Sequence, residues 1–113
     1  MAETKLKPVS PGELLNEEYL TPLGLTKYRL AKEIGVPPQR ISDIVNEHRS
    51  ITADTDLRLC KYFGLSNGYW LRVQAKYDTI VVGEKIHSSI EKIKPYRITH
   101  INRNREISTY AYA

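Results

Sequence analysis

Residues 26–46 have the sequence TKYRLAKEIGVPPQRISDIVN, which predicts two short helices joined by a tight turn. Thr26 is a suitable N-cap for the first helix. The inner side of that helix would consist of Leu30, Ala31 and Ile34, which recur at helical spacing. Two helices that cross at a sharp turn need a small residue at the crossing and a residue that tolerates positive φ at the corner. Ala31 and Gly35 meet these two needs, and we therefore interpret the segment as a helix-turn-helix.

The second helix of this segment would begin at about Pro38 and place Ile41, Ile44 and Val45 at core spacing. Asn46 follows as a residue that can adopt the left-handed conformation and end the helix. At 100° per residue, the side of the helix opposite these apolar residues is polar. The second helix is therefore predicted to be amphipathic, with its polar side in solvent.

That polar side is typical of a helix that enters the major groove of DNA. Gln and Asn side chains pair with adenine there, and short polar groups contact either base edge. The candidate base-reading residues are Pro38, Gln39, Ser42, Asp43 and Asn46. Gln39 is the foremost of them because it lies near the start of the helix. For Asp43 two roles stay open: it accepts a hydrogen bond from a cytosine amino group, or it holds Arg40 in place.

Contacts to the DNA phosphates are expected from the amide ends of the two helices and from nearby hydroxyl and cationic side chains. We assign this role to Thr26, Lys27, Tyr28, Arg40 and Arg49. The alternative for the whole segment is a helical hairpin in an ordinary bundle. Because the small residue, the glycine corner and the polar side coincide, the sequence favours DNA binding.

Further helices are predicted on both sides of this segment. The first starts at Ser10, which caps it in a capping box with Glu13, and stops near Thr21-Pro22. After the segment, Thr52 caps a helix that ends at Gly64. The residues expected on the inner side of that helix are Ala53, Leu57, Cys60 and Phe63.

A fifth helix is expected to open at Ser66 or Asn67 and to bury Trp70. Its β-branched continuation, Ile80-Val81-Val82, is ambiguous and is a possible end of the helix. Gly83 interrupts the pattern, and a short sixth helix would span residues 84–94. Residues 1–93 then form the helix-turn-helix domain, and residues 94–113 form a C-terminal tail. We expect the tail to be loose or ordered only against a partner, as a solvated end, a DNA-backbone contact or a partner-binding segment.

The composition fits a single domain and excludes several classes of protein. The chain has 113 residues, one cysteine and no apolar run near the roughly 20 residues that cross a bilayer. No signal peptide is evident, so we expect a cytoplasmic protein associated with the nucleoid and no membrane partner. His48, His87 and His100 lack metal-ligand spacing. Because phosphate loops and nucleophile elbows are also missing from the sequence, we expect no metal, no cofactor and no enzyme activity.

The charge of the chain is a weaker guide than its pattern. The formal net charge is +4, yet residues 1–50 carry seven basic and seven acidic side chains. Residues 94–113 carry four basic side chains and one acidic one, so the surplus lies mainly in the tail. Net charge alone therefore does not predict a nucleic-acid partner.

The helix-turn-helix segment resembles the lambda-repressor-like (Xre/Cro) class, and a longer stretch resembles the HigA-type antitoxins of bacterial toxin–antitoxin pairs. The longer resemblance covers roughly residues 10–80. The motifs that carry it are Pro11-Gly12-Glu13-Leu14-Leu15, Pro22-Leu23-Gly24-Leu25-Thr26, Leu30-Ala31, Gly35-Val36-Pro37, Arg40-Ile41, Ile44-Val45-Asn46, Ile51-Thr52-Ala53-Asp54-Thr55, Leu57-Arg58-Leu59 and Tyr62-Phe63-Gly64 through Trp70-Leu71. Asp56 departs from the family pattern, which usually has alanine at this position. We therefore expect that side of its helix to be more exposed to solvent.

The resemblance implies an all-α, lambda-repressor-like domain of about five helices with a short C-terminal extension. It also implies a homodimer that represses its own operon through a palindromic operator in double-stranded DNA. Such antitoxins bind and neutralise a RelE-like toxin that cleaves messenger RNA on the ribosome. Dimer contacts are expected on the fifth helix and the segment after it. Two alternatives are a regulator without a toxin partner and a protein- or RNA-interaction module that reuses the fold.

Overall fold

The computed structural model describes residues 7–96, and every regular element in that range is helical. Helix α1 runs through three segments: α-helical Pro11–Leu14, π-helical Leu15–Leu20 and α-helical Thr21–Leu23. The remaining helices are α2 (Lys27–Ile34), α3 (Pro38–Val45), α4 (Ala53–Phe63), α5 (Tyr69–Lys85) and α6 (His87–Glu91). The predicted all-α class is confirmed. The predicted division into residues 1–93 and a tail stays a prediction, because residues 97–113 lie outside the described range.

Helix α1 begins as predicted and ends within one residue of its predicted stop. The Ser10 hydroxyl accepts a hydrogen bond from the Glu13 amide at 3.1 Å, and Pro11 occupies the first turn. The helix ends at Leu23, next to the predicted stop near Thr21-Pro22, and Gly24 follows with φ of 64°. Pro22 therefore lies inside the last turn. Proline lacks an N–H and its ring collides with the carbonyl of the preceding turn in a regular α-helix. The wider π-helical turn immediately before Pro22 makes room for the ring.

Helices α2 and α3 form the predicted helix-turn-helix. The Thr26 hydroxyl caps α2 by accepting from the Arg29 amide at 3.0 Å. Gly35 ends α2 with φ of 74°, and the Val36 amide turns back to the Ala31 carbonyl at 3.0 Å. The buried side chains that join the two helices are Leu30, Ala31, Ile34, Val36, Ile41 and Ile44. The glycine corner and the small residue therefore work as the sequence predicted.

The end of α3 corrects one expectation. Asn46 has φ of −87°, and the left-handed residue is Glu47, with φ of 63°. A non-glycine residue is uncommon in this conformation. The Glu47 carboxylate accepts a hydrogen bond from the Ser10 hydroxyl at 2.9 Å and from the Tyr77 hydroxyl at 3.5 Å. These bonds tie the end of α3 to the start of α1 and to α5, and they offset the backbone strain.

Helix α4 buries only part of the predicted side. Of the expected inner residues, Cys60 is buried and Phe63 packs half-buried against the core, whereas Ala53 and Leu57 are exposed, Leu57 to 48%. The other side chains buried on this helix are Thr55, Asp56 and Leu59. Asp56 is 1% exposed, so the expectation of a wetter side was wrong. Carboxylates are mostly exposed in folded proteins, so the sequence prediction turned Asp56 outward and Leu57 inward.

The buried Asp56 carboxylate binds the amide end of α5. It accepts hydrogen bonds from the amides of Gly68, Trp70 and Leu71 at 2.7, 2.8 and 3.3 Å. The first turn of a helix has no internal partners for its N–H groups, and a carboxylate there is favoured by the helix dipole. Because these bonds define the first turn, α5 starts at Tyr69 and not at Ser66 or Asn67.

The C-terminal helices also differ from their predicted bounds. Helix α5 passes through Ile80 and Gly83 to Lys85, so the glycine does not end it. Helix α6 covers His87–Glu91, a shorter span than residues 84–94. Trp70 is fully buried, with Tyr19 and Tyr69 rings at 5.3 and 5.1 Å, which confirms its predicted core role.

Replacing Gly12 with alanine is expected to destabilise the domain, because a Cβ there would lie 2.0 Å from the Ile44 carbonyl oxygen at the end of α3. We expect a loss of about 2–3 kcal/mol in the free energy of unfolding, measured by urea denaturation. Gly83→Ala is the matched control, since a Cβ there meets nothing within 4 Å. Gly83 lies inside α5, so its substitution should stabilise the domain by about 0.5–1 kcal/mol. Equal stability of the two variants would contradict the close approach of α1 to α3.

Candidate nucleic-acid interface

Helix α3 presents the predicted base-reading residues on the side away from the core. Its inner residues Ile41 and Ile44 are 0% and 1% exposed. On the opposite side, the exposed residues are Pro38, Gln39 and Asn46, and the half-buried ones are Ser42 and Asp43. The structure thus brings all five predicted residues together on one helix and at its ends. Their individual roles in base reading stay predictions.

Gln39 and Asp43 are bonded to each other along this side. The Gln39 Nε2 donates to Asp43 Oδ1 at 2.7 Å, across one turn of the helix. The structure therefore does not support the role in which Asp43 holds Arg40. The carboxylate fixes the neighbouring amide.

Arg40 is held by α4. Its Nη1 lies 2.6 Å from Asp54 Oδ2, and Asp54 Oδ1 also accepts from Arg58 Nε at 3.1 Å. The Arg40 side chain is 25% exposed. The structure places Arg40 in an ion pair within the protein, and its predicted phosphate contact remains a prediction.

Arg58 extends this ion-pair network to the turn between α2 and α3. Its Nη1 donates to the Ile34 carbonyl at 2.8 Å and to the Gly35 carbonyl at 3.4 Å. A cation is favoured at these carbonyls because they are the negative end of the α2 dipole. One side chain of α4 therefore fixes the corner of the helix-turn-helix, and its carboxylate neighbour Asp54 fixes α3.

The two guanidinium groups lower the pKa of the Asp54 carboxyl, chiefly through the hydrogen bond from Arg40 and then through that from Arg58. A carboxyl whose pKa is lower in the folded state contributes stability above its unfolded pKa, and that contribution is lost as the pH falls through the folded value. The network is therefore formed at neutral pH and is weakened only by acid. Asp54 is solvent-exposed, so screening keeps the contribution small.

The other predicted phosphate-binding residues lie at the start of α2 and after α3. Thr26 and Tyr28 are exposed, Tyr28 to 66%, and Lys27 is half-buried. Arg49 is exposed in the loop that follows Glu47. The first-turn amides of α2 and these side chains form the kind of surface that contacts a DNA backbone.

Sequence reasoning missed Asp54, Arg58 and Glu47, which hold the helix-turn-helix in place, and Asp56, which joins α4 to α5. The Asp54–Arg58 pair had a detectable signal, because opposite charges four residues apart on a helix are neighbours. For Asp56 and Glu47 the sequence contains no such local signal, since their partners are 12 to 37 residues away.

No helix in residues 7–96 is long and apolar enough to span a membrane. Within the same range, no cluster of three or more His, Cys, Asp or Glu side chains is arranged to hold a metal ion.

Comparisons with known proteins agree with this geometry. Residues 17–70 match the Helix-turn-helix family model. The chain is 46% identical over 93 residues to virulence-associated protein I of Dichelobacter nodosus, which covers 82% of this chain and 85% of that protein.

Solved structures are similar over the same part of the chain. An addiction module antidote protein of the HigA family from Coxiella burnetii is 41% identical, with a TM-score of 0.75 over 80% of this chain and 100% of its own. Antitoxin HigA of Pseudomonas aeruginosa, solved with the higBA promoter, is 34% identical, with a TM-score of 0.74 over 78% of this chain and 97% of its own.

Proposed function

The chain belongs to the HigA family of helix-turn-helix proteins, and on that premise we propose that it is an antitoxin that binds operator DNA and represses its own operon. The observation that carries the proposal is the two-sided character of α3. Ile41 and Ile44 are fully buried, while Gln39 and Asn46 project into solvent. A rigid helix with one polar side is what direct readout in the major groove requires.

In this proposal Gln39, Ser42, Asp43 and Asn46 face the base edges, with Pro38 at the start of the helix. Thr26, Lys27, Tyr28 and Arg49 contact the phosphates and set the register. Arg40 joins them if the duplex draws it from Asp54. The complex of the Pseudomonas aeruginosa relative with its promoter supports DNA as the ligand.

We further propose that the chain acts as a homodimer. Two copies related by a two-fold axis would place their α3 helices about 34 Å apart, one turn of the duplex, and select a near-palindromic operator. Exposed apolar side chains on α5 support a dimer: Ile80 is 37% exposed and Val82 is 47% exposed. Apolar side chains of this kind favour a protein partner over water.

The toxin partner belongs to the same proposal. The Coxiella burnetii relative is an antidote protein and the Pseudomonas aeruginosa relative is an antitoxin. These names support a toxin as the protein partner of this chain. Its RelE-like, messenger-RNA-cleaving character is what the family resemblance implies. We propose that the chain neutralises such a toxin by binding it directly.

The DNA-binding proposal is tested by fluorescence anisotropy with the DNA upstream of the reading frame. Gln39→Ala is expected to weaken binding to the intact site by about 1–3 kcal/mol and to reduce selectivity at one base pair, because the amide contact is lost. Asn67→Ala is the matched control, since it removes an exposed amide outside α3. The affinity of the wild type should fall steeply with salt. Unchanged selectivity in Gln39→Ala would exclude α3 as the reading helix.

The toxin proposal is tested with the product of the neighbouring reading frame, purified separately. Ribosomes translating a messenger RNA are mixed with that product, and cleavage of the message is followed with and without this chain. We expect cleavage by the product alone and protection at equimolar antitoxin, with a stable complex in size-exclusion chromatography. Cleavage that continues in excess antitoxin would refute neutralisation.

A further inference from the structure

We infer that Asp43 sets the base preference of this protein by fixing which way the Gln39 amide points. This inference rests on the proposed function of α3 and goes beyond it, because it names the base edge that Gln39 selects. Asp43 lies on the side of α3 that faces the base edges, but it acts there as a positioning residue, and Gln39 is the group that touches the base.

The first step is the bond between the two side chains. Gln39 Nε2 donates to Asp43 Oδ1 at 2.7 Å, a short hydrogen bond to a charged acceptor. A carboxylate only accepts hydrogen bonds, so it attracts the NH₂ of the amide and repels the carbonyl oxygen. A glutamine amide has two orientations, which differ by a 180° rotation that exchanges its nitrogen and oxygen. Asp43 selects the orientation in which the Gln39 nitrogen points toward the Asp43 carboxylate.

The second step is what this orientation leaves available. One of the two N–H groups of Gln39 is engaged, so one N–H donor and the carbonyl acceptor remain. Adenine presents one acceptor, N7, beside one donor, the N6 amino group, in the major groove. Guanine presents two acceptors, N7 and O6, and would face the Gln39 carbonyl with a lone pair. The oriented amide therefore matches adenine and opposes guanine.

The third step is that the pair forms in the absence of DNA. Asp43 is half-buried, and within residues 7–96 each of the two side chains has the other as its hydrogen-bond partner. A side chain held in its binding conformation loses less conformational entropy on binding. A glutamine without the carboxylate is free to turn over and donate to guanine, so its discrimination is weaker.

The chain supplies a matched control for this arrangement. Gln74 Nε2 donates to Asp78 Oδ1 at 2.8 Å on α5, with the same spacing of four residues. Asp78→Asn removes the same charge and weakens the same kind of bond as Asp43→Asn, but on a different helix. A general effect of charge or of helix stability would appear in both variants.

The experiment uses the full chain and duplexes that carry the upstream binding site. The base pair read by Gln39 is identified as the one whose selectivity is lost in Gln39→Ala. Affinities for adenine and guanine at that position are then compared by competition anisotropy for the wild type, Asp43→Asn and Asp78→Asn. We expect the wild type to prefer adenine about 10- to 100-fold, which follows from the discrimination of one bidentate amide–base pair. Asp43→Asn should reduce that ratio about two- to tenfold, the net contribution of one hydrogen bond, because an asparagine amide can present either its oxygen or its nitrogen to Gln39. Asp78→Asn should keep the wild-type ratio.

The outcomes separate this inference from the proposed function. The inference would be overturned if Asp43→Asn kept the wild-type ratio of adenine to guanine affinity. An equal loss of affinity for all duplexes is one such result, because it leaves the ratio unchanged. Wild-type protein that binds no duplex selectively would instead refute the proposed function. We expect Asp43→Asn to unfold at the same midpoint temperature as the wild type. That result would exclude misfolding as the cause of a changed affinity ratio.

Discussion

The close approach of α1 to the end of α3 is the constraint on which the arrangement of the domain depends. A Cβ at residue 12 would lie 2.0 Å from the Ile44 carbonyl oxygen, so only glycine lets the two backbones meet there. On its other sides α3 packs on α2 and is bonded to α4 through the Arg40–Asp54 pair. Three helices thus fix α3, and the side that none of them covers is the polar one. The orientation of that side is a consequence of packing, and the proposed DNA readout depends on it.

A second constraint comes from charge buried inside the domain. The Asp56 carboxylate is 1% exposed and accepts three amide hydrogen bonds from the start of α5. A buried carboxylate is costly unless it is fully hydrogen-bonded, and here the helix end supplies both the bonds and a favourable dipole. An acidic side chain thus joins α4 to α5 and is a structural element of the core.

Much of the fold was predictable from local signals. Thr26, Gly35 and the spacing of Leu30, Ala31, Ile41 and Ile44 determine the helix-turn-helix by short-range rules, and the structure confirms them. The register of α4 was not predictable in this way, because it depends on a polar group buried by a distant partner. The predicted interruption at Gly83 was wrong for a different reason. A glycine weakens a helix without ending it when the neighbouring turns are intact.

The candidate site follows the same division. The polar side of α3 could be predicted from periodicity alone, residue by residue. The bond from Gln39 to Asp43 had a local signal, because residues four apart on a helix are neighbours. The bond from Arg40 to Asp54 had none, because the two residues are 14 positions apart and lie on different helices. Glu47 in the left-handed conformation was also beyond local rules, since Asn46 is the better residue for that conformation by propensity. Tertiary hydrogen bonds to Ser10 and Tyr77 outweigh the preference.

The claim that α3 enters the major groove is tested most directly by cleavage of DNA from a chemical label on that helix. Cys60 is the only cysteine of the chain and is buried, so a cysteine introduced at exposed Asn46 gives a single site for an iron chelate. The account predicts strand cleavage in two clusters about 34 Å apart on the duplex. A label at exposed Glu18 of α1, beside the Tyr19 and Tyr69 rings, should give little cleavage. Strong cleavage from residue 18 with none from residue 46 would contradict the account.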